Sequence, residues 1–338
     1  MLIWGLACAL TFLASYVGTS VLRRYALTKN LLDVPNARSS HNQPTPRGGG
    51  VAIVTAYLLA LTGLLVTGNL ESGWAWAMLG AGCAVAALGF LDDHGHVPAR
   101  WRLLGHFIAA LWLMSWAGGL PSDIEIFGRV LHWGWGGDLL CGFYLVWMLN
   151  LYNFMDGIDG IASVEAITTC LGGALAALIA GQTGLVAPAL LLAAATGGFL
   201  LWNFPPARIF MGDAGSGFLG MMLAALSIQA AQAAPELLWS WLILLGVFVV
   251  DATWTLLRRI ARGEKFYEAH RSHAYQFASR QQGRHLPITI AIVTINVLWL
   301  LPLSLMVAGG WLDGLTGSLI AYSPLLLLAI RYNAGGRE

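Results

Sequence analysis

Long apolar runs separated by short polar loops extend along almost the whole chain. A transmembrane helix needs about 20 predominantly apolar residues, and this length predicts eleven spans in the sequence. The predicted spans cover residues 2–22, 48–67, 73–91, 102–118, 138–153, 158–180, 185–202, 214–232, 236–257, 286–308 and 312–331. We therefore expect an all-α polytopic membrane protein that forms a single integral-membrane domain over residues 1–338.

The distribution of charge assigns the two faces of this predicted bundle. Only 10% of the residues are charged, whereas soluble domains carry about 25%. Lysine and arginine fall almost entirely in loops that follow odd-numbered spans, and Arg129 is the exception. The positive-inside rule then places those loops and the C-terminus in the cytoplasm and the N-terminus outside. Alternating residues around Gly128-Arg129, in the loop 119–137, predict a small β-hairpin on the outer face.

One polar stretch interrupts the apolar pattern near the middle of the chain. Asn150, Asn153, Asp156 and Asp159 recur at every third position, a spacing that puts successive members on neighbouring turns of a helix. Carboxylates beside lipid are costly and usually mark function. Mg²⁺ prefers oxygen ligands, typically one or two carboxylates with substrate phosphates. The two aspartates are therefore predicted metal ligands and the two asparagines predicted substrate-binding groups, and a polar kink between helices is the structural alternative.

Two further acidic motifs lie on the predicted cytoplasmic side. Asp92 and Asp93 are adjacent, so on a helix they point about 100° apart, and one can face a site while the other holds the scaffold. A solvated pair that caps the helix is the alternative. Asp213 lies among small residues that permit close backbone approach, and it is either a metal ligand or a helix N-cap. Asn203, at the start of the same loop, is a further candidate for substrate binding.

Basic residues and histidines occupy the first and last cytoplasmic loops. His41 and Arg47 precede glycines that open a helix, and free amides at a helix N-terminus suit an anion, although an ordinary basic loop explains this pattern equally well. In the last loop, His270, Arg271 and His273 fit phosphate better than zinc, because no cysteine or third histidine is close. Carboxylates for a divalent cation, together with arginine and histidine for anions, describe phosphoryl transfer.

Two acids inside apolar runs complete the set of polar candidates. Asp251 is expected to face the site, whereas Glu165 is expected to pair within the helix bundle. Neither is needed for the argument for phosphoryl transfer.

Together these motifs resemble the polyprenyl-phosphate N-acetylhexosamine-1-phosphate transferases, glycosyltransferase family 4. The similarity runs from Asp33-Val-Pro35-Asn36 to the loop 270–276, about three quarters of the chain. Arg271 and Ser272 interrupt the run of consecutive histidines that is typical of the branch acting on the muropeptide precursor. The chain is more similar to the branch that starts O-antigen or other surface polysaccharides, and most similar to WbpL-like enzymes.

The resemblance implies a reaction at the bacterial inner membrane. An N-acetylated aminosugar-1-phosphate, from a UDP-linked N-acetylated fucosamine, quinovosamine or glucosamine, is transferred to undecaprenyl phosphate, and UMP is released. It also implies Mg²⁺, with Mn²⁺ as a substitute, bound first of all by Asp213. Asp92 and Asp93 match the paired acids, one of which accepts a proton from the lipid phosphate. Asp156 and Asp159 match acids of the nucleotide and metal region, and the late histidine loop is associated with the diphosphate.

Other protein classes fit parts of the same pattern. A secondary transporter has many spans and membrane acids, but its sites lie near the bilayer midplane between repeats, whereas these acids lie at one face. An intramembrane aspartyl protease needs no metal and leaves the basic loops unexplained. The sequence leaves open the sugar, a direct or a covalent aspartyl-phosphate route, which of the paired acids is the base, and the oligomeric state. Membrane lipid is an expected partner, a homodimer is permitted, and no nucleic acid is expected.

Overall fold

The computed structural model describes residues 2–35, 43–95, 97–121, 123–126, 129–132, 134–264 and 270–337. Helices dominate these ranges, which confirms the all-α prediction. The helices are α1 (Leu2–Thr28), α2 (Gly50–Val66), α3 (Ser72–His94), α4 (Ala99–Ala117), α5 (Trp135–Met155), α6 (Ile161–Ile179), α7 (Val186–Asn203), α8 (Asp213–Ala233), α9 (Glu236–Leu244), α10 (Gly246–Ala261), α11 (Ala274–Gln282), α12 (Leu286–Ile295), α13 (Leu301–Ala308) and α14 (Gly314–Arg331). A 3₁₀ turn precedes α7, and a π-helical turn joins α12 to α13.

Several of these helices are long and apolar enough to cross a membrane. The described residues contain seven such spans, counting α12 with α13 as one, and eight if α9 and α10 are also counted as one broken span. The protein is therefore a multi-pass membrane protein. Each predicted span contains a helix, but α2, α4 and α5 lie outside this group. The count of eleven spans and the orientation in the membrane remain predictions.

Helix α8 is the centre of the bundle. All residues of its most apolar window are buried, and it packs against α2, α3, α5 and α9. Small residues let helices approach closely where lipid supplies no hydrophobic driving force. At the contact with α2, a Cβ added to Gly50 would lie 2.4 Å from Cα of Gly215. This close approach holds the first turn of α8, and with it Asp213, against the start of α2.

The predicted span 236–257 is not a single straight helix. It consists of α9 and α10, which are bent by 75° relative to one another. The apolar sequence runs through the bend without interruption, so hydropathy could not reveal it. Helix α10 carries Arg258 and Arg259 in its last turn and leads toward α11, a short helix that the apolar pattern does not predict.

Two small antiparallel hairpins lie in the loops. Strands β1 (Leu32–Asp33) and β2 (Thr45–Pro46) pair after α1, and strands β3 (Asp123–Ile126) and β4 (Arg129–His132) pair between α4 and α5. The second hairpin lies within the loop where the alternating residues predict one. Its location on the outer face remains a prediction.

Glu165 is fully buried inside the bundle. Its Oε2 accepts a hydrogen bond of 2.6 Å from Nδ2 of Asn296, the first residue of the π-helical turn. The predicted pairing of Glu165 within the bundle is confirmed. It lies on α6 among apolar neighbours and takes no part in the site described below.

Candidate active site

Arg47 is brought to the start of α8 by the first hairpin. The backbone N–H of Phe210 donates to the carbonyl of Pro46 (2.8 Å), and the N–H of Gly49 donates to the carbonyl of Phe210 (2.9 Å). These bonds align the loop after β2 with the segment that precedes Asp213. Nη2 of Arg47 consequently lies 2.7 Å from Oδ1 of Asp93 and 2.9 Å from Oδ1 of Asp213.

The two aspartates also control the ionisation of this arginine. Burial alone would lower the pKa of Arg47, but the charges of Asp213, Asp93 and Asp33 outweigh it and raise the pKa. The guanidinium therefore remains charged at all relevant pH values and bridges the two carboxylates.

Asp93 anchors the N-terminus of α8 from the neighbouring helix α3. Its carboxylate accepts hydrogen bonds from the backbone N–H groups of Asp213 (2.9 Å) and Ala214 (3.2 Å), which have no partner within their own helix. The side chain of Asp93 is only 3% exposed. Gly212 fits against it with a φ of +78°, and a Cβ there would lie 2.6 Å from Oδ2 of Asp93.

This arrangement excludes one of the two roles that the sequence left open for Asp213, that of helix N-cap. Asp213 is the first residue of α8, and Asp93 supplies the acceptor for its backbone amide. The side chain of Asp213 is therefore not the N-cap, and it remains directed into the ion cluster.

Asp92 points to a different partner, as the 100° separation of adjacent helical residues requires. Its Oδ2 lies 2.6 Å from Nη1 of Arg102, which is also 3.6 Å from Oδ2 of Asp213. Its Oδ1 accepts a hydrogen bond from the N–H of Val97 at 2.8 Å. The side chain of Asp213 is 25% exposed, against 7% for Asp92, so Asp213 is the most accessible carboxylate of the cluster formed by Asp92, Asp93, Asp213, Arg47 and Arg102.

The central polar stretch divides where α5 ends at Met155. On the helix, Nδ2 of Asn153 donates to Oδ1 of Asp213 (3.2 Å) and to Oγ of Ser216 (2.9 Å). Asn150, one turn earlier, donates from Nδ2 to the carbonyl of Val146 at 2.7 Å. Beyond the helix, burial first and then the charge of Asp213 raise the pKa of Asp156 well above its ordinary value. Asp156 therefore lies within electrostatic reach of the ion cluster.

Asp159 and Asn203 hold backbone rather than joining the ion cluster. Oδ1 of Asp159 lies 3.1 Å from Nδ1 of His285, and its Oδ2 accepts from the N–H of Ala207 at 3.0 Å. Oδ1 of Asn203 accepts from the N–H of Gly160 (2.9 Å), while its Nδ2 donates to the carbonyl of Ile209 (3.0 Å). The every-third-residue pattern continues past the end of α5, so its last member no longer shares a helix face with the others. The metal role of Asp159 and the substrate role of Asn203 remain predictions without a contact that supports them.

The late histidine loop is built around Asp251, on α10. The carboxylate of Asp251 accepts from the N–H groups of Ala274 (3.0 Å) and Tyr275 (3.1 Å) and lies 3.3 Å from Nδ1 of His273. Asp251 therefore faces the late histidine loop and not the ion cluster, because the first amides of α11 require an acceptor and Asp251 supplies it. The hydroxyl of Tyr275 donates to the carbonyl of Phe154 at 3.1 Å, which ties this loop to the end of α5.

The remaining predicted residues of the first and last loops are His41, His270 and Arg271. His270 and Arg271 are both partly buried beside His273, and the rings of His270 and His273 are 4.9 Å apart between centroids. His41 lies outside the described residues. The structure thus joins Asp92, Asp93, Asp213, Arg47 and Asn153 directly and Asp156 through its charge, while the histidines lie on an adjoining loop.

A cavity of about 730 Å³ opens from the ion cluster between α3, α4, α5 and α10. Asp92, Asp213, Arg102, His106 and Asn150 line its polar end, and Phe107, Phe143 and Trp147 are among its apolar wall residues. Arg102 and His106 are site residues that the sequence motifs did not predict. Their spacing of four residues puts them on one face of a helix, and this spacing is the sequence feature that could have indicated them.

The residues present suit a divalent cation whose coordination shell is completed by substrate phosphates and water. Asp92, Asp93 and Asp213 contact the two guanidinium groups of Arg47 and Arg102, so the ion cluster holds one more acidic group than basic groups. Among the described residues, no three acids, cysteines or histidines are gathered closely enough to form a complete metal site. Mg²⁺ commonly binds one or two carboxylates and takes its other ligands from water and phosphates, so the donor set fits this ion.

Comparison with known proteins identifies a matching family model and relatives with two kinds of sugar-phosphate substrate in their names. Residues 75–231 match the family model for glycosyl transferase family 4. The chain is 29% identical over 274 residues, 80% of its length and 75% of the relative, to a probable undecaprenyl-phosphate N-acetylglucosaminyl 1-phosphate transferase of Bacillus subtilis. It is 33% identical over 237 residues, 64% of its length and 70% of the relative, to a phospho-N-acetylmuramoyl-pentapeptide-transferase of Moorella thermoacetica.

A third relative covers a similar share of the chain. The decaprenyl-phosphate N-acetylglucosaminephosphotransferase of Mycolicibacterium smegmatis is 32% identical over 275 residues, which are 73% of this chain and 68% of that protein. The region that matches the family model, residues 75–231, contains the three acids of the ion cluster, Asp92, Asp93 and Asp213. The chain belongs to the polyprenyl-phosphate N-acetylhexosamine-1-phosphate transferases of glycosyl transferase family 4.

Proposed function

We propose that this protein transfers an N-acetylated aminosugar-1-phosphate from a UDP-sugar to undecaprenyl phosphate and releases UMP. The observation that carries the proposal is the continuity between the ion cluster and the apolar cavity, because it places groups for phosphates directly beside space for a polyprenyl chain. The names of the relatives from Bacillus subtilis and Mycolicibacterium smegmatis, which act on undecaprenyl and decaprenyl phosphate, support the same reaction class.

The cavity accounts for the lipid acceptor. A polyprenyl chain that enters from lipid gains no hydrophobic driving force, because lipid tails are equally apolar, so van der Waals packing against the aromatic wall residues Phe107, Phe143 and Trp147 would hold it. Arg102 lies where this apolar space meets the carboxylates. Its guanidinium is therefore the proposed ligand of the lipid phosphate, for which arginine offers two parallel hydrogen bonds.

Mg²⁺, or Mn²⁺ in its place, is the proposed cofactor. Asp213 and Asp156 would hold it, with Asp213 contributing first because its side chain is the most exposed of the three in the ion cluster. When bound, the ion supplies charge neutralisation on the donor diphosphate. Arg47 contacts both Asp93 and Asp213, so its guanidinium can bind phosphate oxygens at the same place.

The proposed chemistry is a direct displacement at phosphorus. An oxygen of undecaprenyl phosphate attacks the phosphorus attached to the sugar, the bond from that phosphorus to the bridging oxygen breaks, and UMP leaves with that oxygen. Asp92 is the proposed base of the paired acids because it lines the cavity beside Arg102, whereas Asp93 is only 3% exposed and bonds Arg47 and two amides. A phosphomonoester has a second pKa near 6, so a base contributes modestly and charge neutralisation dominates.

The proposed biological role is initiation of an O-antigen or another surface polysaccharide at the bacterial inner membrane, with the site facing the cytoplasm. The basic loops support this orientation, and Arg271 and Ser272, which interrupt the histidine run, support the WbpL-like branch. The proposed donors are UDP-linked N-acetylated fucosamine, quinovosamine and glucosamine.

A donor panel with purified protein tests the function. We expect UMP release that requires undecaprenyl phosphate and one of the three donors, and that stops when EDTA removes divalent cations and resumes when Mg²⁺ is added in excess. A transporter would release no UMP, and a protease would be insensitive to the donor. Labelled phosphate that becomes attached to the protein from donor alone would contradict the direct route in favour of a covalent one.

The cavity makes a separate prediction about the acceptor. Leu103→Trp places a larger ring in the cavity wall and is expected to raise KM for undecaprenyl phosphate about tenfold, the equivalent of about 1.4 kcal/mol, while KM for the UDP-sugar is unchanged. The adjacent Leu104 is similarly exposed, at 48% against 41% for Leu103, and is not a wall residue, so Leu104→Trp is the matched control. Equal acceptor KM values for the two variants would contradict the cavity as the lipid site.

A further inference from the structure

The segment that follows α14 is bound to the late histidine loop and to α10. The backbone N–H of Gly335 donates to the carbonyl of Ser272 at 2.6 Å. Nη1 of Arg258 donates to Oδ1 of Asn333 (2.8 Å) and to the carbonyl of Ala334 (2.9 Å), and Ala334 is fully buried. The segment therefore fixes the position of Ser272 relative to α10.

Ser272 in turn fixes the ring of His270. The backbone N–H of Ser272 lies 3.3 Å from Nδ1 of His270, and Oγ of Ser272 lies 3.0 Å from the same nitrogen. Because a backbone N–H can only donate, Nδ1 is an acceptor and carries no proton. Burial, with the neighbouring charges of His273 and Arg259, lowers the pKa of His270 to about 3. The ring is therefore neutral at pH 7, and its one proton is on Nε2.

We propose that Ser272, Gly335 and Arg258 are positioning residues that hold His270 so that its Nε2–H donates to the diphosphate of the nucleotide sugar. This inference rests on the proposed function, since it names how the same site recognises its donor. The late loop is tied through Tyr275 to the carbonyl of Phe154, two residues before Asp156, so this loop adjoins the segment that carries Asp156.

Two variants test the two ends of this chain of contacts. Ser272→Ala removes the hydroxyl that bonds Nδ1 of His270. Gly335→Ala strains a residue with a φ of +69°, and its Cβ would lie 3.0 Å from the carbonyl oxygen of Thr255, so the bond to Ser272 is displaced. Each variant is expected to bind UDP about fivefold more weakly in titration calorimetry, the effect of one neutral hydrogen bond.

Two controls separate positioning from a general loss of structure. Ser272→Thr keeps the hydroxyl and is expected to retain the UDP affinity of the wild type. Gly181→Ala introduces the same backbone strain, at a φ of +74° with no atom within 4 Å of the added Cβ. Because Gly181 follows the far end of α6, UDP affinity should be unchanged. In turnover assays, KM for the UDP-sugar is expected to rise about fivefold in both test variants, again as one neutral hydrogen bond, while KM for undecaprenyl phosphate stays at the wild-type value.

The outcomes for this inference and for the proposed function are distinct. Wild-type UDP affinity in both Ser272→Ala and Gly335→Ala would overturn the inference, and so would absence of UDP binding by the wild type. Failure of the wild type to release UMP from every donor would contradict the proposed function alone, since the loss of UDP affinity in the two variants would still support the positioning of His270.

Discussion

Replacing Asp213 with asparagine is expected to reduce UMP release about 1,000-fold, the upper range for removal of one electrostatic contact to a reacting group. Asparagine keeps the size of the side chain but removes the charge that faces Arg47 at 2.9 Å and Arg102 at 3.6 Å. It also removes the most exposed carboxylate of the ion cluster. The measurement is initial-rate UMP release at saturating donor, acceptor and Mg²⁺.

Asp138→Asn is the control for this substitution. Asp138 is an exposed acid in the first turn of α5, at the opposite end of that helix from Asn153, so its loss should leave the rate unchanged. A rate close to wild type for Asp213→Asn would remove Asp213 from the reaction and leave Asp156 as the principal candidate for the cation.

Replacing Asp93 with alanine is expected to lower the free energy of unfolding by about 3 kcal/mol and to abolish turnover. Removing one partner of a buried ion pair costs about 3–5 kcal/mol, and the lower value applies because Arg47 keeps Asp213 and is one-third exposed. The substitution also leaves the amides of Asp213 and Ala214 without an acceptor. Thermal unfolding in detergent, followed by tryptophan fluorescence, measures the first effect.

Asp93→Asn distinguishes the two roles of this residue. Its side-chain oxygen can still accept from one amide of α8, but it no longer neutralises Arg47. We expect a melting temperature between those of the wild type and Asp93→Ala, with turnover as low as in Asp93→Ala. A wild-type melting temperature for Asp93→Ala would show that the first turn of α8 does not depend on Asp93.

Arg47 and Arg102 are expected to serve two purposes in this site, neutralising carboxylates and binding phosphates. In the substrate-free arrangement, Arg47 and Arg102 neutralise carboxylates that would otherwise repel one another. Phosphate oxygens compete for the same guanidinium groups, and a divalent cation then takes over the neutralisation of the carboxylates. Substrate and cation are thus expected to bind cooperatively. The phosphates occupy the guanidinium groups, and the cation neutralises the carboxylates that those groups no longer balance.

The chain's polar residues were easier to identify than their partners. Asp92, Asp93, Asp156 and Asp213 stand out in an apolar sequence; three of them join the ion cluster, and Asp156 lies within electrostatic reach of it. Asp159 stands out equally, yet it faces His285 and the amide of Ala207, because α5 ends before the spacing pattern does. Asp251 likewise serves the amides of α11, a helix whose short polar sequence carries no apolar periodicity.

The sequence by itself determined that this is a helical membrane protein with acids and basic residues gathered on one set of loops. That follows from local properties, since the cost of burying backbone and charge in lipid depends on each segment alone. Only the tertiary structure decided that Asp93 caps α8, that Asp213 is left directed into the ion cluster, and that Arg102 and His106 border the apolar cavity. Those roles depend on contacts between residues far apart in the chain, such as the close approach of Gly50 to Gly215, and no local pattern specifies which distant backbone amides will need an acceptor.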